Sequence, residues 1–263
     1  MNTTIVPEGA GIANLPASPM SDTETRLGRN TIQMARGRDH RFFLTMAILA
    51  AVWVFVGYSQ TYYLKPWVPS PQLATLLHVH AAVFTTYLLL YVLQTALISA
   101  RRTALHMTLG WASVVLIPAM VVLGTAAVFW SAEQGHKIVW PNVEVAAAVN
   151  LGDGYTFAVL AAVGLFLRKK PETHKRIMLM SLYGGLIPPA IERTHLHNFG
   201  PISIFGAIFA LLLAGPAYDL ITRRRIHPAY LWSLLFIVTF FIPTRIAIGS
   251  TQTWHQFVDW VIR

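Results

Sequence analysis

Seven apolar runs recur along the chain, most of them near the 20 or so residues that a helix needs to cross ~30 Å of hydrocarbon. They lie near Phe42–Tyr63, Val79–Ser99, Met107–Phe129, Val143–Leu167, Ile177–Ile191, Ile202–Ile221 and Ala229–Ile248, the fifth being the shortest. In lipid every backbone N–H and C=O must find its partner inside the protein, which a helix does within one segment. Of 263 residues, 55% are hydrophobic and 12% charged, about half the charge expected of a soluble domain. The expected fold is therefore all-α, a polytopic membrane bundle of about seven transmembrane helices over residues 39–251. A short outer interfacial segment, 252–263, follows it, because Trp254, Phe257, Val258 and Val261 recur at helical spacing.

Basic residues alternate between the loops. Arg26, Arg29, Arg36, Arg38 and Arg41 precede the first span. Arg101 and Arg102 follow the second, Arg168 to Lys170 with Lys175 and Arg176 follow the fourth, and Arg223 to Arg225 follow the sixth. Only Lys65, Lys137 and Arg193 stand in the other loops. The positive-inside rule then makes the N-terminus cytoplasmic and the C-terminus external. The formal charge of +9 is thus a topology signal in a multi-pass protein of the plasma (inner) membrane, and nucleic acid is not an expected partner. Residues 1–38 carry no apolar run and read as a disordered cytoplasmic tail without the order of a signal peptide. The absence of cysteine excludes disulfides, thiolate metal sites and iron–sulfur clusters.

Ionisable side chains are costly at membrane depth and mark functional sites there. The ten histidines sort into two layers. His78 and His80 open the second span from outside, and His195 and His197 follow the fifth. His106 and His174 each open a span from the cytoplasmic side. His40, His136, His227 and His255 read as loop or interfacial residues.

In the outer layer, two His-x-His pairs stand at the depth of Asp153 and Glu192. Both members of a pair could ligate one ion only where the backbone is extended. Imidazole with carboxylate suits iron, copper or zinc, with Asp153 or Glu192 as an acid–base group. The plainer alternative is that Asp153 pairs with Arg245 and the histidines are wet. In the inner layer, His106 and His174 follow similar segments, as a faint internal repeat would arrange. Two opposed imidazoles in a helix bundle suit a b-type haem; alternatively both sit in the headgroup region beside Arg and Lys. His80, Phe84, Tyr87, Tyr91 and Gln94 share one face of the second span, so Gln94 joins the cofactor-binding candidates with Arg245. On the fifth span a stripe runs from His174 to Glu192, roughly 27 Å of helix.

Leu77-His78-Val79-His80-Ala81, Leu105-His106-Met107-Thr108-Leu109-Gly110-Trp111 and Glu172-Thr173-His174-Lys175-Arg176-Ile177-Met178 together resemble a family of uncharacterised bacterial multi-pass membrane proteins. The resemblance covers roughly residues 40 to 225 and implies a shared fold without an established activity. A looser architectural likeness runs to di-haem transmembrane cytochromes b of the ascorbate-reducible kind, from which the paired outer histidines depart.

No lysine lies deep in a span to carry retinal, and no His-Glu-x-x-His or Gly-rich phosphate loop occurs. Three function classes remain: a haem- or metal-binding electron-transfer protein with quinone or another redox partner, a metal-dependent membrane enzyme, and a non-catalytic metal or haem carrier.

Overall fold

The computed structural model describes residues 22–67, 72–137 and 139–263; the greater part of the expected N-terminal tail lies outside them. Residues 40–263 form one compact unit, distinct from the preceding residues up to Asp39. The described residues are helical with no strand. Among the described residues, six helices are long and apolar enough to cross a bilayer: Gly37–Tyr63, Thr75–Ser99, Thr103–Glu133, Val143–Phe166, Ile202–Arg223 and Pro228–Gly249. Their outward faces carry exposed Leu89, Val115, Val122, Ile221 and Trp232, apolar surface of the kind that meets lipid.

The helices are α1 (Asp22–Tyr58), α2 (Thr75–Ser99), α3 (Thr103–Gly110), α4 (Ala112–Glu133), α5 (Val143–Phe166), α6 (Pro171–Ser181), α7 (Pro188–Glu192), α8 (Pro201–Arg223), α9 (Pro228–Leu235), α10 (Ile242–Gly249) and α11 (Gln252–Ile262). Within the third span, α3 gives way to α4 at Trp111.

The fifth expected span is absent from those six because it is broken. A π turn over Leu182–Leu186 separates α6 from α7, closed by an Ile187 N–H to Leu182 carbonyl bond of 3.0 Å. Pro188 and Pro189 follow, which donate no backbone hydrogen bond, so the helix must restart there. This interrupted segment is the centre of the molecule. Nearly every residue from Arg176 to Glu192 is buried, which is why its polar stripe could not single out one inward face.

Met46, Ala47 and Ala50 of α1 join Leu179, Met180, Leu182 and Tyr183 in the main core, and Tyr183 donates a 2.7 Å hydrogen bond to the Met46 carbonyl. A smaller core unites Tyr87 of α2, Ile117 and Met120 of α4, and Phe157 and Ala161 of α5. Small residues bring backbones together: a Cβ on Gly57 would collide with the Ala190 backbone, and one on Gly185 with the backbone of Asp153 and Phe157. At the C-terminus, Trp254 donates to the Glu144 carbonyl at 2.7 Å and Val258 is fully buried, so α11 is docked on the bundle by its apolar side.

Candidate functional site

Periodicity turns the expected face of α2 inward. Tyr87 and Tyr91 are buried, and buried polar atoms of His80 (Nδ1), Tyr87 (Oη) and Gln94 (both amide atoms) have no hydrogen-bond partner. Such groups are rare in folded proteins, and where they cluster a ligand or water is the usual explanation.

The Gln94 end of this face lies beside His106. His106 lies in the first turns of α3 and His174 in the first turns of α6. Their ring centroids are 6.4 Å apart and their planes are inclined at 76°. A metal ion about 2 Å from a nitrogen of each ring would be held at a separation of this order. His174 Nδ1 lies 2.7 Å from the Gly164 carbonyl of α5, which leaves Nε2 for a ligand. This carbonyl contact is the one that orients metal-bound histidines. His106 Nδ1 is buried beside the Gln94 backbone without a well-formed hydrogen bond. Gly110, one turn beyond His106, faces open space: a Cβ there would meet only the Gln94 amide nitrogen, at 3.8 Å.

At the end of the bundle that carries His80 and Glu192, a cavity of about 680 Å³ is lined by residues of α1, α2, α4, α5, the Leu182–Leu186 turn and α7, among others. His80, Asn150, Glu192 and Arg193 are among its polar lining residues, and Phe84, Phe157 and Trp140 among its aromatic ones. The ring of His80 stacks on Phe84 with centroids 4.0 Å apart. Glu192 is buried, with Trp140, Arg193 and Asp153 as electrostatic neighbours. Beside it, Trp140 Nε1 is buried without a well-formed hydrogen bond.

The remaining outer candidates do not join this wall. His78 and His80 both lie in regular helix, since α2 begins at Thr75. The extended backbone needed for both to hold one ion is therefore missing, and the two side chains leave the helix on different sides. His78 is exposed, with the Tyr62 ring 5.9 Å away. His195 is exposed in a short 3-10 turn over His195–Phe199, and the side chain of His197 lies outside the described residues. Among the described residues, no group of three or more His, Asp or Glu side chains is close enough to hold a metal ion. Asp153 instead forms an ion pair with Arg245, through Oδ1; its Oδ2 is buried without a partner.

Two features escaped the sequence. Arg176, counted with the basic inner loops, is fully buried and bound to Asp219. The cavity was equally hidden, since its walls come from segments far apart in the sequence; only the inward stripe of α2 pointed towards it. No known protein family, curated protein or solved structure matches this chain.

Proposed function

We propose that this chain is a multi-pass membrane electron-transfer protein that holds one b-type haem between His106 and His174 near the cytoplasmic surface. The observation that carries the reading is the relation of these two rings: 6.4 Å between centroids, on separate helices, with His174 oriented by the Gly164 carbonyl. The donor set favours haem over a bare ion. A macrocycle supplies four nitrogens, so two axial imidazoles complete the iron, whereas a bare zinc or copper site needs further protein ligands. No third ligand of that kind joins the pair among the described residues. Arg102 and Lys170, each one turn before its histidine, supply cations for the propionates. When bound, the haem contributes one-electron chemistry. His106 and His174 would hold the group, and the Gly164 carbonyl orients the His174 ring.

In this reading the interrupted segment α6–α7 crosses the membrane as a seventh, protein-covered helix. The basic loops lie in the cytoplasm, and the cavity and Glu192 lie towards the outside.

The test is the spectrum of protein purified after haem-replete expression. The expected result is a redox-sensitive Soret band with about one haem per chain, lost or converted in His106→Ala and His174→Ala while both variants still insert. A colourless wild-type protein would sink the proposal.

A further inference from the structure

We infer that the outer cavity is a binding site for the ring of a membrane quinone or quinol. The inference rests on the electron-transfer reading for its purpose, though not for its binding chemistry. At about 680 Å³ the cavity is of the size that encloses a small organic molecule. Its elements include four of the helices long enough to cross the bilayer, so its natural ligands are molecules dissolved in the membrane.

The wall chemistry narrows the class. Phe84, Phe157 and Trp140 supply flat apolar faces, and His80 already stacks on Phe84. Against that apolar background stand polar groups that the protein leaves without good partners. His80 Nδ1 is buried and makes no well-formed hydrogen bond. Trp140 Nε1 sits next to the buried Glu192 carboxylate without a well-formed bond. A lipid tail would leave these groups desolvated and unpaired, which costs free energy at each of them. A quinone ring carries oxygen at opposite ends of a flat apolar body. It can accept from Trp140 and from an N–H of the His80 ring. In the quinol form its hydroxyls can donate to Glu192 and to the other tautomer of His80. A haem would call for two buried imidazoles facing each other, and His80 is the one half-buried histidine on this wall; His136, which also lines it, is exposed.

Tryptophan fluorescence tests this, because Trp130 and Trp140 both line the cavity. Full-length protein in detergent micelles is titrated with a short-chain benzoquinone. The expected result is saturable quenching, weakened about tenfold in Glu192→Gln and in His80→Ala, the scale of one buried hydrogen bond to a charged or strongly polar group. Gly154→Leu should abolish it by filling the cavity. Gly154 is on the wall and a Cβ there meets nothing within 4 Å, so that variant keeps the fold. Quenching that is linear and equal in all four proteins would overturn the site, as would a second haem per chain removed by His80→Ala. A saturable titration in a colourless protein would sink the haem proposal alone, and a haem band without saturable quenching would sink this one alone.

Discussion

Arg176 and Asp219 are both fully buried, and they face each other through two parallel hydrogen bonds, Nε to Oδ2 at 2.8 Å and Nη2 to Oδ1 at 2.7 Å. The pair ties the start of the central segment to α8. Glu172 adds a 2.8 Å bond to Arg176 Nη1, and the Tyr230 ring lies 5.7 Å from the guanidinium. Partial burial works to raise the Glu172 carboxyl, but bonds from Lys175 and Arg176 outweigh it and bring its pKa to about 2. Removing one partner from a buried ion pair strands the other charge, at a cost of roughly 3–5 kcal/mol. Asp219→Asn should therefore lower the melting temperature in detergent sharply, and Arg176→Met with Asp219→Leu should recover most of it. An Asp219→Asn protein as stable as the wild type would show that Glu172 alone neutralises Arg176.

Close packing at the centre predicts a contrast between buried Gly185 and exposed Gly154. Gly185 lies against the backbone of α5, where neither side can yield cheaply, while Gly154 has open space. Gly185→Ala should destabilise by about 1–3 kcal/mol, as overpacking of a dense interior does, and Gly154→Ala should be close to neutral. Thermal unfolding of both variants in one detergent decides this; equal melting temperatures would count against the close approach.

His227 predicts a pH dependence at the turn between α8 and α9. Its Nδ1 accepts from the Ala229 N–H at 3.1 Å as the cap of α9, so the neutral ring is the one that fits. Burial holds its pKa below 6.5, helped by Arg176 and Arg223 and opposed by Asp219 and Glu172. A lowered folded pKa means that the unfolded chain takes up the proton first. The contribution is thus fully present above pH 6.5 and is lost as the pH falls through the folded value. His227→Asn keeps a capping side chain and removes the titration. Its stability should be flatter than the wild type's just below pH 6.5. Identical slopes would rule His227 out as the source.

Orientation is open to a labelling test, because the chain has no cysteine of its own. Thr103 and Asn198 are both exposed. In intact cells an impermeant thiol reagent should modify Asn198→Cys and leave Thr103→Cys untouched until the cells are opened. The reverse pattern would invert the charge-based topology.

Local periodicity and cost determined a good deal before any tertiary contact was known. Apolar runs of spanning length marked the helices, because a bilayer of fixed thickness sets their length. The step of three and four residues put His80, Tyr87 and Gln94 on one side of α2. The expense of an unpaired carboxylate in an apolar segment required a partner for Asp153, with Arg245, a histidine and a metal ion as the alternatives; the structure supplies Arg245, 92 residues away. The tertiary structure decided what depends on which helices become neighbours. His106 and His174 come within 6.4 Å only because α3 and α6 are brought to the same end of the bundle. Arg176 looked like one more loop cation until α8 supplied Asp219. His78 and His80 differ only in which side of one helix they occupy. The central segment, apolar enough to pass for an ordinary span, is broken by a π turn and two prolines where Gly185 must lie against α5. Spacing along a chain records what each segment prefers to bury, and packing between distant segments selects the partner it is buried against.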